Sequence, residues 1–236
     1  MDTAWQGRAT VPLFDLEVRN GNLVKAVVTW GESGAKIKVP SAMWPLKGNH
    51  NYFFTSESTV PCTDEEIKAI YESVQVETGK CYQNAERLRT ALVKAGYPAK
   101  LCCGWMFYSD TIPVHHAVVV MHGDAIQGGD KMMVFDSTSI DYTEAEAVVP
   151  TMTPDAGRKW FIDWIVSLQN KPRSSYTTFG KAMPNTAYIV AECSYEDAVK
   201  TRAKLAKAYP KHPALGGFCT DDKTEIQKEL QRKGLQ

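Results

Sequence analysis

The chain has 236 residues, 44% of them hydrophobic and 23% charged, a balance that fits a folded globular protein and excludes a disordered or fibrous one. Its 27 basic and 27 acidic residues cancel, so no global field draws in nucleic acid or an anionic membrane, and neither is expected as a partner. The opening segment MDTAWQGRAT lacks a secretory pattern and no later stretch is apolar for long enough to span a bilayer, so a cytoplasmic location is expected.

Residues 11–30 place apolar Phe14, Leu16 and Val18 in alternation before Asn20-Gly21, and Val24, Ala26, Val28 and Trp30 continue it afterwards. This pattern predicts a β-hairpin, with Ala35 to Val39 adding a further strand. Residues 40–60 hold Pro40, Pro45, Gly48 and Asn49 without any period, and predict a long surface connection. Thr63 reads as the N-cap of a helix running to about Val74, with Asp64, Glu65 and Glu66 in its first turn.

A second helix is expected to start near Cys81, with Ala85, Leu88, Leu92 and Ala95 on its apolar face and Gly96 and Pro98 as its stop. Three short β-prone runs follow, LCCGWMFY (101–108), VHHAVVVM (114–121) and KMMVFDST (131–138). The middle run is apolar on both faces and predicts an interior strand. Beyond Pro154 come an aromatic helix, GRKWFIDWIVSLQ, a strand, TAYIVAE, and two charged helices near 195–208 and 221–234. The expected fold class is α+β, an antiparallel sheet flanked by helices. A β-rich segment and loop occupy 1–60, a helix-plus-sheet catalytic core 61–150, and an α/β extension 151–236.

Six cysteines in a long chain without a signal, two of them adjacent at Cys102 and Cys103, predict free thiols in a reducing compartment. No CxxC pair marks a structural zinc site, and neither a metal nor another cofactor is expected. Cys102 and Cys103 read as structural, since a strand interior offers neither a helix terminus nor an obvious base.

Cys81 differs because it opens a helix, where unpaired N–H groups and the helix dipole favour the thiolate, which is the nucleophilic form. The same N–H groups can hold an oxyanion. His116 lies near the start of one strand and Asp136 near the end of the next, and a symmetric hairpin centred at 126 sets the two directly opposite each other. Opposed residues have Cβ atoms roughly 5 Å apart, within reach for a carboxylate to orient an imidazole. Nucleophile, base and orienting group are then all present. Strand alternation points His115 to the other face, so His116 is preferred as the base. The competing readings make Cys81 a buried small hydrophobe and Asp136 a cap on the turn at Ser137 and Thr138.

Across about residues 75–140, the segments CYQNA, Gly104-Trp105, HHAVVV and FDST resemble the transglutaminase-like and NlpC/P60-like branches of the papain-like superfamily. The resemblance implies thiol chemistry on an amide, ester or isopeptide bond through a Cys81-His116-Asp136 triad. Gln75, six positions before Cys81, resembles the upstream oxyanion-hole glutamine of papain-like proteases, and Asn84 is a second candidate donor. Trp105 and Tyr108 are candidate cleft residues, whereas Trp160 and Trp164, four apart on a helix, read as core.

The expected function is a cysteine hydrolase, namely a peptidase, amidase or deamidase, acting on a protein, a peptide or a small amide. A transglutaminase or acyltransferase with an amine acceptor, and a non-enzymatic binding module that retains the fold, are the alternatives. Oligomeric state is not legible in the sequence.

Overall fold

The structure is a computed structural model that describes backbone strands at 12–19, 22–30 and 36–39, and residues 51–208 apart from 78, 109–113, 123–130 and 185. The expected helix at 221–234, the Asn20-Gly21 turn and the loop after residue 122 lie outside the described residues. Near the N-terminus, β1 (Pro12–Arg19), β2 (Asn22–Trp30) and β3 (Lys36–Val39) form a three-stranded antiparallel sheet. β1 pairs with β2 from Pro12↔Trp30 to Arg19↔Asn22, with a register shift between Glu17 and Val18. This is the expected hairpin.

The larger sheet has six strands: β4 (Asn51–Phe54), β5 (Lys100–Tyr108), β6 (Val114–His122), β7 (Met132–Ile140), β8 (Thr177–Gly180) and β9 (Thr186–Glu192). Their order is β4-β9-β5-β6-β7-β8 and every neighbouring pair is antiparallel. The class is therefore α+β with an antiparallel sheet. β6 is interior, as its two-sided apolar run requires.

The expected surface connection at 40–60 is corrected by β4. Tyr52 and Phe54 alternate inward and are buried, and Phe54 stacks on Tyr188 of β9 with ring centroids 4.9 Å apart. Four residues are too few to show a period, which is why the strand was hidden in the sequence.

The described residues also form five α-helices: α1 (Glu65–Ser73), α2 (Cys81–Lys94), α3 (Thr143–Val148), α4 (Pro154–Leu168) and α5 (Tyr195–Ala208). α1 is capped by Asp64 rather than Thr63, its carboxylate accepting from Glu66 N at 2.9 Å and Ile67 N at 3.0 Å. A carboxylate serves here as well as a hydroxyl and adds charge at the positive end. None of the described helices is long and apolar enough to cross a membrane.

The sheet has two apolar faces. Leu101, Cys103, Ala117, Val119, Met121, Met133 and Phe135 pack with Ile67 and Tyr71 of α1 and with Tyr82, Ala85, Leu88 and Leu92 of α2. Cys102, Met106, Val118, Val120, Val134, Tyr188 and Val190 face the opposite way, with Tyr52 and Phe54. Trp164, Ile165 and Leu168 of α4 form a third cluster with Ala145, against which Trp160 also packs.

Gly104 pairs with His116 on one side and Val190 on the other. A Cβ there would overlap Ile189 O and sit 2.8 Å from Val190 Cα, so the strand spacing leaves room for glycine alone. Gly104→Ala should lower folding stability by about 2 kcal/mol or more, the scale of overpacking against an unyielding backbone. Urea unfolding of the two proteins checks this, and an unchanged midpoint would contradict it.

Candidate active site

Cys81 is the first residue of α2, and its helix starts without a side-chain cap, because the N-cap is Lys80. First-turn N–H groups are thus left for other acceptors. The entry to the helix is fixed from elsewhere. Gly79 takes φ 75°, and Asn84, fully buried, accepts from Glu77 N at 3.0 Å and donates to Glu77 O at 2.8 Å and Thr138 Oγ1 at 3.1 Å. Asn84 was expected as a donor to an oxyanion or substrate. Both ends of its amide are instead committed to holding the loop before Cys81 and tying it to β7.

His116 and Asp136 meet directly, with His116 Nε2–H donating to Asp136 Oδ2 at 2.7 Å. The register that brings them together differs from the expected one. β6 pairs with β7 through His122↔Met132, Met121↔Met133, Val120↔Val134 and Val119↔Phe135, and continuing that register sets Asp136 opposite Val118. His116 is therefore a diagonal neighbour of Asp136 rather than its direct partner. The shift is two residues, so both side chains keep the same face.

Asp136 also takes the turn-capping role that competed with the catalytic reading. Its Oδ1 accepts from Thr138 N at 3.1 Å and Ser139 N at 3.0 Å, where β7 and β8 slip register between Asp136 and Ile140. One oxygen shapes the bulge and the other holds the histidine. Two further contacts carried no sequence signal. Ser139 Oγ lies 3.3 Å from His116 Nε2, and Tyr188 Oη of β9 donates to Asp136 Oδ2 at 3.3 Å. Tyr188 is 52 residues away in the chain, and only the completed sheet delivers it.

Cys81 lies within the electrostatic and hydrogen-bonding influence of His116 and of the Ala117 backbone N–H. With Nε2 committed to Asp136, Nδ1 is the nitrogen left for the thiol. Burial opposes ionisation of Cys81, but the His116 charge and hydrogen bond, helped by the Ala117 N–H, outweigh it and hold the thiol below its ordinary value. For His116, burial disfavours the imidazolium, and the Asp136 and Cys81 charges with their hydrogen bonds reverse this and raise it well above the ordinary range. Asp136 is likewise opposed by burial yet held below the usual carboxylate range by His116 and the Ser139 contacts. All three shifts run toward the charged forms of thiol, imidazole and carboxyl.

The remaining candidates fall outside this arrangement. Trp105 is fully buried on the helix-side face, its edge against the ring of His115 with centroids 5.0 Å apart, so it lines no cleft. Gln75 sits in the loop between α1 and α2, where its carbonyl accepts from Arg87 Nη1 at 3.4 Å. The side chain of Tyr108 lies outside the described residues. His115 shares a hydrogen bond with Tyr82 Oη, and burial, aided by the Arg202 charge, pushes its pKa down to about 3. That value keeps it neutral, as a packed core histidine.

Among the described residues, no group of three His, Cys, Asp or Glu is placed to hold a metal ion. What the fold and the site define is an antiparallel α+β fold with a buried imidazole–carboxylate pair whose charge acts on a thiol at a helix start. No family model, curated protein or solved structure matches the chain.

The Asp136 contacts set a pH dependence. A carboxylate depressed in the folded state contributes stability above its ordinary pKa, and that contribution fades as pH falls through the lower folded value. A raised imidazole contributes below its ordinary pKa and loses this as pH climbs through the folded value. Asp136→Asn should therefore cost about 3 kcal/mol at neutral pH, the scale of removing one partner of a buried pair. Its deficit should shrink in acid. Unfolding midpoints of both proteins across pH test this, and a deficit that grows below pH of about 4 would contradict it.

Proposed function

We propose that the chain is a cysteine hydrolase with a papain-like core, of the transglutaminase-like or NlpC/P60-like branch, acting on an amide, ester or isopeptide bond in a protein, a peptide or a small amide. The observation that carries this reading is the buried His116 imidazole, which is bonded to Asp136 and acts on the Cys81 thiol through its charge and hydrogen bonding.

The thiolate of Cys81 attacks the carbonyl carbon, and the carbonyl oxygen takes the negative charge beside the first-turn N–H groups of α2. His116 gives its proton to the leaving group as the tetrahedral intermediate collapses to a thioester. It then takes a proton from water, which attacks the thioester and releases the acid with the Cys81 thiolate restored. Asp136 holds the ring so that the nitrogen facing the sulfur carries out both transfers, and it remains ionised throughout.

The test uses p-nitrophenyl acetate and limiting iodoacetamide on the full chain near neutral pH. Nitrophenolate should appear in a burst of one equivalent, with the acetyl group mapped to Cys81 by peptide mass spectrometry, and iodoacetamide should mark Cys81 before the other thiols. His116→Ala should slow both reactions by roughly a hundredfold without unfolding the chain, and Asp136→Asn should slow them less. If Cys81 reacts no faster than its fellow cysteines, or His116→Ala leaves its rate unchanged, the hydrolase reading gives way to a binding module.

A further inference from the structure

A second thiol arrangement stands apart from the site just described. Cys103 of β5 is fully buried, and Cys193, which follows β9, is partly exposed. Their sulfurs are 3.2 Å apart. The sheet makes this neighbourhood, because Cys103 pairs with Ala191 across β5 and β9 and Cys193 N bonds to Leu101 O. Cys193 is thus two residues beyond the partner of Cys103 and shares its face, the diagonal relation at which side chains in an antiparallel pair still meet. Cys102, the other cysteine of the run, belongs to the opposite face.

We propose that Cys103 and Cys193 are an oxidation-sensitive dithiol that closes to a disulfide under peroxide, tying β5 to the segment that leads into α5. The sulfurs need to approach by about 1 Å to reach bonding distance. Cys193 is the one that solvent reaches, so it meets the oxidant first. Its sulfur attacks one peroxide oxygen, the O–O bond breaks, and water leaves behind a sulfenic acid on Cys193. The Cys103 sulfur then displaces the sulfenic oxygen as a second water. Two thiols are oxidised, one peroxide is reduced, and two waters form. A small-molecule disulfide gives the same product by two thiol exchanges, releasing two small thiols.

This dithiol is distinct from Cys81 but adjacent to its support. Cys103 is also the β5 partner of Ala117, whose N–H helps to lower the Cys81 thiol.

The experiment exposes the folded full chain, reduced beforehand, to a slight excess of hydrogen peroxide, blocks remaining thiols under denaturing conditions, and digests without reduction. Cys103 and Cys193 should both be lost as free thiols, in addition to any oxidation at Cys81, and one crosslinked peptide should join the 102–103 region to Cys193, with fragmentation between the adjacent cysteines assigning the bond to Cys103. Dithiothreitol should restore both thiols. The same crosslink should form in Cys81→Ser, so its presence or absence is separable from the fate of the hydrolase reading, and it should vanish in Cys193→Ser. Recovery of Cys193 as a free thiol or a sulfinic acid, or a crosslink assigned to Cys102, overturns the proposal even if Cys193→Ser fails to fold.

Discussion

An imidazole 4% exposed and a carboxylate 1% exposed coexist in this interior only as a hydrogen-bonded pair, because an uncompensated buried charge costs several kcal/mol. The compensation draws on much of the sheet. Asp136 sits on β7, its Oδ1 is satisfied by the bulge that β7 makes against β8, and its Oδ2 is shared between His116 of β6 and Tyr188 of β9. The Tyr188 ring is in turn stacked on Phe54 of β4. Moving any one of these strands would leave a buried lone pair or proton without a partner, so the site and the strand order constrain each other.

The part of this arrangement that was legible in the sequence rests on period and parity. Cys81 at a helix start follows from the apolar face of α2 and the polar segment before it. His116 and Asp136 on one face follow from the two-residue repeat of strands, and that conclusion survived a register displaced by two because an even shift preserves the face. The hairpin midpoint was the weak step, since the loop between β6 and β7 has no sequence feature that fixes which residue is central. Asn84 was misread for a different reason. A polar residue one turn into a helix ordinarily faces solvent, and only the backbone of Glu77 and the hydroxyl of Thr138 explain its burial. Tyr188, Ser139 and β4 depend on contacts distant in sequence or on segments too short to show a pattern.

The adjacent histidines show how a sheet can place chemistry on the side away from its helix. α2 packs on the face to which His115 points, together with Ala117 and Val119, so simple layering would pair Cys81 with His115. Packing then decides otherwise. His115 is taken up by Tyr82 and Trp105 and kept neutral by burial, while His116 is directed to the face that holds Asp136.

Cys81 reaches His116 because the ladder between β6 and β7 runs no further than Val119↔Phe135. The Ala117 backbone N–H helps to lower the Cys81 thiol, and a ladder continued on that side would compete for it. Ending the ladder early opens the seam through which the helix start meets the imidazole. The slip of β7 against β8 at the same level accounts for the ending, since a strand that bulges after Asp136 departs from the register that would carry pairing on to His116. The turn that Asp136 caps and the gap that Cys81 enters thus have one origin, the Asp-Ser-Thr-Ser run at 136–139.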